Sequence, residues 1–64
     1  MNQDKAIYLE KKYFLVANDA LRLERENNYL AAWVKWNEAL YYARGKNISW
    51  CIARAEYCKK TGRF

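Results

Sequence analysis

The stretch Asn27-Asn28-Tyr29-Leu30-Ala31-Ala32-Trp33-Val34-Lys35-Trp36-Asn37-Glu38-Ala39-Leu40-Tyr41-Tyr42-Ala43-Arg44-Gly45 decides the fold. Its residues Tyr29, Ala32, Trp33, Trp36, Ala39, Leu40 and Ala43 recur at spacings of three and four, which on a helix forms one broad apolar face. Both ends are punctuated. Asn tolerates the left-handed conformation, so Asn27-Asn28 can end one helix and begin the next. Gly45 can cap the far end beyond Arg44, whose charge complements the terminal dipole. The reading is a helix over about 29–44 with Trp36 in the core.

Upstream, Asp4 can cap a helix that runs to about residue 26. That helix carries two stripes: Leu9, Tyr13, Val16, Ala20 and Leu23 form one, and Ile7, Phe14 and Leu21 repeat every seven residues on a face roughly 140° away. Downstream, Asn47 or Ser49 can cap a third helix over about 48–60, with Lys59 and Lys60 in its last turn and Gly62 beyond it. Its apolar positions fall into two groups, Trp50, Ala53 and Tyr57 with Arg54 on one side, and Cys51, Ala55 and Cys58 on the other. The chain has no proline and two glycines in 64 residues, which favours long helices over a turn-rich β fold. The expectation is one all-α domain over residues 1–64, a three-helix bundle with the third helix laid back alongside the first.

The lengths do not match. A first helix of about 34 Å faces partners of about 24 Å and 20 Å. The second helix therefore ends near residue 11 of the first, leaving Ile7, Tyr8 and Leu9 beyond the hairpin. With Phe14 and Leu21 these residues are the candidate interface, with a second copy or another protein. A domain this small gains from such a staple, and a homodimer is expected. Leu15, Leu30, Val34, Tyr41 and Tyr42 add to an apolar excess that three helices cannot bury; exposed apolar patches commonly mark interfaces, although Tyr41 and Tyr42 could lie flat as lids over the core.

Charge is unevenly spread. The net charge is +5, and residues 1–43 are neutral overall. The surplus lies in residues 44–64, where Arg44, Lys46, Arg54, Lys59, Lys60 and Arg63 face only Glu56. Lys59, Lys60 and Arg63 are a candidate basic patch for nucleic acid or an acidic protein; lysines there also suit a helix C-terminus. Arg54, set among apolar neighbours, reads as an interhelical hydrogen-bonding residue near Glu24 or Glu38. There is no histidine, no Gly-rich phosphate loop, no metal spacing and no nucleophile motif. Glu24 and Glu26, two apart, point to different sides of a helix and read as solvated surface. The expectation is a protein that is not an enzyme and holds no cofactor or metal. Cys51 and Cys58 are about 10 Å apart along one helix, beyond disulfide reach, and read as buried thiols. Neither a secretory signal nor a membrane span is visible, which points to the cytoplasm.

Two likenesses follow from these positions. Ala20, Leu23, Tyr29, Ala32, Trp36, Ala39 and Leu40 fit the spacing of a tetratricopeptide repeat, and Trp50 and Tyr57 fall where a next repeat's first helix carries large residues, so the chain resembles about one and a half repeats. Asp19 stands at an apolar position of that pattern, and no proline closes the repeat. Further, Ala20-Leu21-x-Leu23-Glu24, then Tyr29-x2-Ala32-x3-Trp36-x2-Ala39, then Asn47-x2-Trp50-x3-Arg54-x2-Tyr57-Cys58 resembles the ANR family, small negative regulators of AraC-type transcription activators. The resemblance covers about residues 14–58, and its closing Trp-x3-Arg-x2-Tyr-Cys is the most specific part. It implies binding to an AraC-family activator and down-regulation of the virulence or colonisation genes that the activator controls. PerC-like regulators share much of this framework, which implies the alternative of a small DNA-binding regulator working through the basic end. The matching residues Tyr29, Trp36, Trp50, Arg54, Tyr57 and Cys58 read physically as core and bundle-defining.

Overall fold

A computed structural model describes residues 2–64, with side chains from Asp4 onward. It contains three helices: α1 (Asn2–Arg25), α2 (Tyr29–Tyr42) and α3 (Lys46–Gly62), with no strand among the described residues. α1 begins at Asn2, two residues before its expected start, so Asp4 lies in the first turn rather than at the cap. A carboxylate there still favours the positive end of the helix dipole.

The turn between α1 and α2 is built by the two asparagines. Asn27 takes the left-handed conformation (φ 60°); its N–H donates to Glu24 O at 3.0 Å, and the N–H of Asn28 donates to Leu23 O at 2.9 Å. This pair of bonds satisfies carbonyls that a helix end otherwise leaves open. Asn28 is also the N-cap of α2, where its side chain accepts from the N–H of Ala31 at 3.4 Å. One residue closes a helix and the next opens another, which makes α1 and α2 a tight antiparallel hairpin.

The second turn departs from the sequence expectation. α2 ends at Tyr42, and Ala43 is extended (φ −71°, ψ 149°). Gly45 does have positive φ (58°), but with ψ −132° it serves the start of α3 instead of the end of α2. α3 therefore begins at Lys46, and Asn47 and Ser49 fall inside its first turn. No side chain caps it; Asn47 and Ile48 donate to Arg44 O and Gly45 O, each at 3.1 Å, and Ser49 Oγ donates back to Lys46 O. At the other end Gly62 is helical and Arg63 takes the left-handed position (φ 59°). Gly62 is required there by space: a Cβ would come within 2.9 Å of both the Phe64 ring and Tyr29 Cβ. Phe64 thus folds back onto Trp33, with ring centroids 5.5 Å apart.

α2 is the middle helix. The backbones of α1 and α3 each run close along it, whereas α1 and α3 hardly approach each other, so α3 does not lie alongside α1 as the sequence suggests. The core consists of Tyr13, Val16, Ala17 and Ala20 from α1, Ala32, Trp36 and Ala39 from α2, and Cys51, Ala55 and Cys58 from α3. Four alanines, Ala17, Ala20, Ala32 and Ala39, let α1 and α2 come together, and Trp36 fills the space where all three helices meet. α3 buries its small residues and turns Trp50 and Tyr57 outward, leaving them 48% and 43% exposed. These two are not core residues. The reason is the close fit of α3 on α2, which a Cys-Ala-Cys stripe permits and a Trp-Tyr stripe would prevent.

Candidate functional site

Where α1 and α3 diverge, side chains bridge the gap. Near the hairpin turn Glu24 accepts from Trp36 Nε1 at 2.6 Å and from Arg54 Nε at 3.3 Å, and pairs with Arg54 Nη2 as well. One carboxylate on α1 thus holds α2 and α3 together. Charged hydrogen bonds of this kind are the strong ones. The Arg54 guanidinium lies 4.3 Å from the Tyr57 ring centroid and 5.6 Å from that of Trp50, in cation–π range of both. The bond to Glu24 raises the pKa of Arg54 further. Arg54 is the interhelical residue its sequence setting suggests, with Glu24 as partner. Glu24 itself corrects the sequence reading, since it is largely buried rather than solvated; Glu26 is on the surface, paired with Arg22.

Below this knot lie the buried thiols. Burial, reinforced by the nearby Glu24 carboxylate, pushes Cys58 up to about 11. Cys51 donates to Tyr13 Oη at 3.9 Å, and burial raises both groups, Tyr13 to about 12. Thiols so far above neutrality are poor nucleophiles. Both are free.

Between α1 and the start of α3 the divergence opens a cleft. It consists of two adjoining hollows of about 290 and 260 Å³ that share Tyr13, Phe14 and Asn47. Ala6, Glu10, Tyr42 and Arg44 line one end, and Ala17, Leu21, Trp36 and Trp50 line the other. Phe14 stands at the middle, half-exposed, with its ring edge-on to Tyr13 at 5.3 Å.

The residues marked as a candidate interface divide between cleft and overhang. Ile7, Tyr8 and Phe14 are 51%, 60% and 50% exposed. Leu9 is partly covered, and Leu21 packs against the core while also lining the cleft. Tyr42 lies against Lys12, whose Nζ is 5.8 Å from the ring centroid, so α2 ends beside residue 12 of α1 and the overhang begins there. Tyr41 is almost fully exposed and is no lid. Lys59, Lys60 and Arg63 are all exposed at the end of α3, Lys59 with its Nζ 6.0 Å from the Trp33 ring centroid.

Sequence reasoning missed the cleft itself. In the sequence Asn47 reads as a cap and Arg44 as a helix end, and neither carries a local mark of lining a groove with α1. The regular recurrence of Ala6, Glu10, Ala17 and Leu21 beside Tyr13 and Phe14 was the available signal. Compared with known proteins, the chain matches no family model, no curated protein and no solved structure.

Proposed function

We propose that this protein is a small transcription regulator that works by binding another protein, an AraC-type activator, and so lowers expression of the virulence or colonisation genes under that activator. The reading joins the resemblance carried by Trp36, Trp50, Arg54, Tyr57 and Cys58 to one observation: a row of half-exposed apolar side chains, Ile7, Tyr8, Phe14 and Leu15, along a helix that outruns its partners. Exposed apolar rows of this kind commonly mark protein interfaces. Trp, Tyr and Arg are also the side chains that most often dominate binding energy, and Trp50, Tyr57 and Arg54 lie together on the adjacent face of α3.

Two finer features belong to the same proposal. The α1–α2 hairpin, with alanines where the helices meet, is the kind of unit that tetratricopeptide arrays stack, and α3 stands as the first helix of an unfinished second unit. In the free protein the overhang of Ile7, Tyr8 and Leu9 closes on a second copy, giving a cytoplasmic homodimer whose overhang the activator takes over when it binds. A reporter driven by the activator, together with co-purification of activator and regulator, tests the proposal. Ile7→Ser with Phe14→Ser is expected to abolish both repression and co-purification while leaving helicity intact by circular dichroism. Full repression by that double variant would refute the protein-binding reading. The exposure of Lys59, Lys60 and Arg63 supports the PerC-like alternative, in which DNA is the partner; that reading requires binding to duplex DNA that weakens steeply with salt and disappears when the three residues are neutralised.

A further inference from the structure

The cleft between α1 and α3 has an apolar floor and one-sided charge around it. Phe14, Leu21 and Trp50 form its walls over the buried Ala17 and Trp36, Asn18 and Asn47 add polar lining, and the charged side chains within it are Glu10 and Arg44. Arg25 stands one turn beyond Leu21 on α1, and Lys46 one turn before Trp50 on α3, both exposed. Among the described residues the ion pairs are Arg22–Glu26, Lys35–Glu38 and Arg54–Glu24, so Arg25, Arg44 and Lys46 have no carboxylate partner. One free cation within the groove and two beyond its lining, Arg25 and Lys46, thus outnumber the one carboxylate it holds.

The groove is also the right length for a helix. Its lining on α1 runs from Ala6 to Leu21, about 22 Å at 1.5 Å per residue, or some four turns. An apolar helix face with acidic flanks satisfies both the floor and the rims, and grooves of this kind read a partner through anchors at i, i+3 or i+4, and i+7. Opposite charge at the rim steers the encounter and fixes the orientation. A second copy of this chain does not supply such a helix. α1 carries one more cation than carboxylate, α2 carries equal numbers, and α3 has a surplus of three cations.

We infer that the α1–α3 cleft receives an acidic amphipathic helix of another protein, its apolar stripe laid between Phe14 and Trp50 and its carboxylates against Arg25, Arg44 and Lys46. The inference rests on the protein-binding reading above and adds to it the chemistry of the partner segment and the groove that holds it.

Calorimetry on the full chain tests this with three probes: a 16-residue helix-forming peptide with Leu and Phe on one face and Glu on its flanks, the same peptide with each Glu replaced by Lys, and a 16-base-pair DNA duplex. The acidic peptide is expected to bind at least tenfold more tightly than the basic one. Phe14→Asp should weaken it at least tenfold. The charge reversal Arg44→Glu with Lys46→Glu should weaken the acidic peptide and strengthen the basic one. All three positions are exposed or half-exposed, and if Phe14→Asp perturbs folding the charge reversal still decides the matter. Absent binding of the acidic peptide, equal binding of both peptides, or displacement of the acidic peptide by DNA would each overturn the inference. Failure of repression in cells, with the peptide results as expected, would refute the proposed regulatory role and leave the helix-binding cleft intact.

Discussion

Glu24 is bonded to residues of both other helices at once, so its loss is felt across the whole bundle. Glu24→Ala leaves the Arg54 guanidinium and the Trp36 indole N–H without their shared acceptor. Breaking a buried pair costs about 3–5 kcal/mol, and the partial exposure of Arg54 brings the expected loss to about 2–3 kcal/mol in urea unfolding. Glu24→Leu combined with Arg54→Met should lose less than Glu24→Ala, because no charge is then left unpaired. A second residue-scale outcome concerns pH. Burial raises Cys58 from 9.0 to about 11 and Tyr13 from 10.0 to about 12, so above pH 9 the unfolded chain releases protons that the folded chain retains. The stability these groups contribute is fully present below pH 9 and drains away as pH rises from 9 toward 12. Thermal melts between pH 8 and 11.5 should show Tm falling across that window, and a level Tm would contradict the burial of these groups. Arg54's role was legible in the sequence because an arginine in apolar company needs a partner. Glu24 was legible only as one of two candidate partners, beside Glu38, and its burial was not, since Arg54 lies 30 residues away and nothing local sets Glu24 apart from Glu26.

At the level of elements, the two turns differ in how much their residues reveal. Asn27 and Asn28 hold their own geometry: a left-handed residue and a cap can both be read from side-chain chemistry alone. Asn28 is the N-cap of an α2 that has no acidic residue in its first turn, so Asn28→Ala is expected to cost about 1 kcal/mol. Gly45 is ambiguous by nature, because a glycine marks unusual backbone without saying whether it closes the helix before it or opens the one after. Its φ of 58° with ψ of −132° is a region closed to other residues, although a Cβ there would meet nothing within 4 Å. Gly45→Ala is therefore expected to destabilise by about 1–3 kcal/mol through the backbone alone; an unchanged denaturation midpoint would mean that the turn relaxes freely. The orientation of α3 was the other unreadable element. Hydrophobic periodicity offered two adjacent faces, and the choice fell to the one with small side chains, a matter of fit against α2 that only the assembled helices decide.

Taken whole, the molecule is extended for its size. Its accessible surface is 4887 Å² for 7.7 kDa, against about 4,300 Å² for a typical monomer of that mass, and its radius of gyration is 12.1 Å against about 10.7 Å for 64 residues. The overhang was legible as a mismatch of helix lengths. The open cleft was not, because it depends on α1 and α3 staying apart. Each partner in a stable complex commonly contributes about 800 Å², and the surplus is of that order. Sedimentation velocity at micromolar concentration is expected to return twice the 7.7 kDa chain mass, with Ile7→Lys and Tyr8→Lys together restoring the monomer; a single chain mass for the unaltered protein would remove the dimer. The placement of the three indoles has one more consequence. Trp36 is sealed at the centre beside a carboxylate, Trp50 stands at the mouth of the cleft, and Trp33 lies under Phe64 at the opposite end of α3. Three variants, each keeping one indole and replacing the others by phenylalanine, would turn the protein into its own optical gauge: one emission spectrum for the melting of the interior, one for the arrival of a guest, and one for the peeling of the tail.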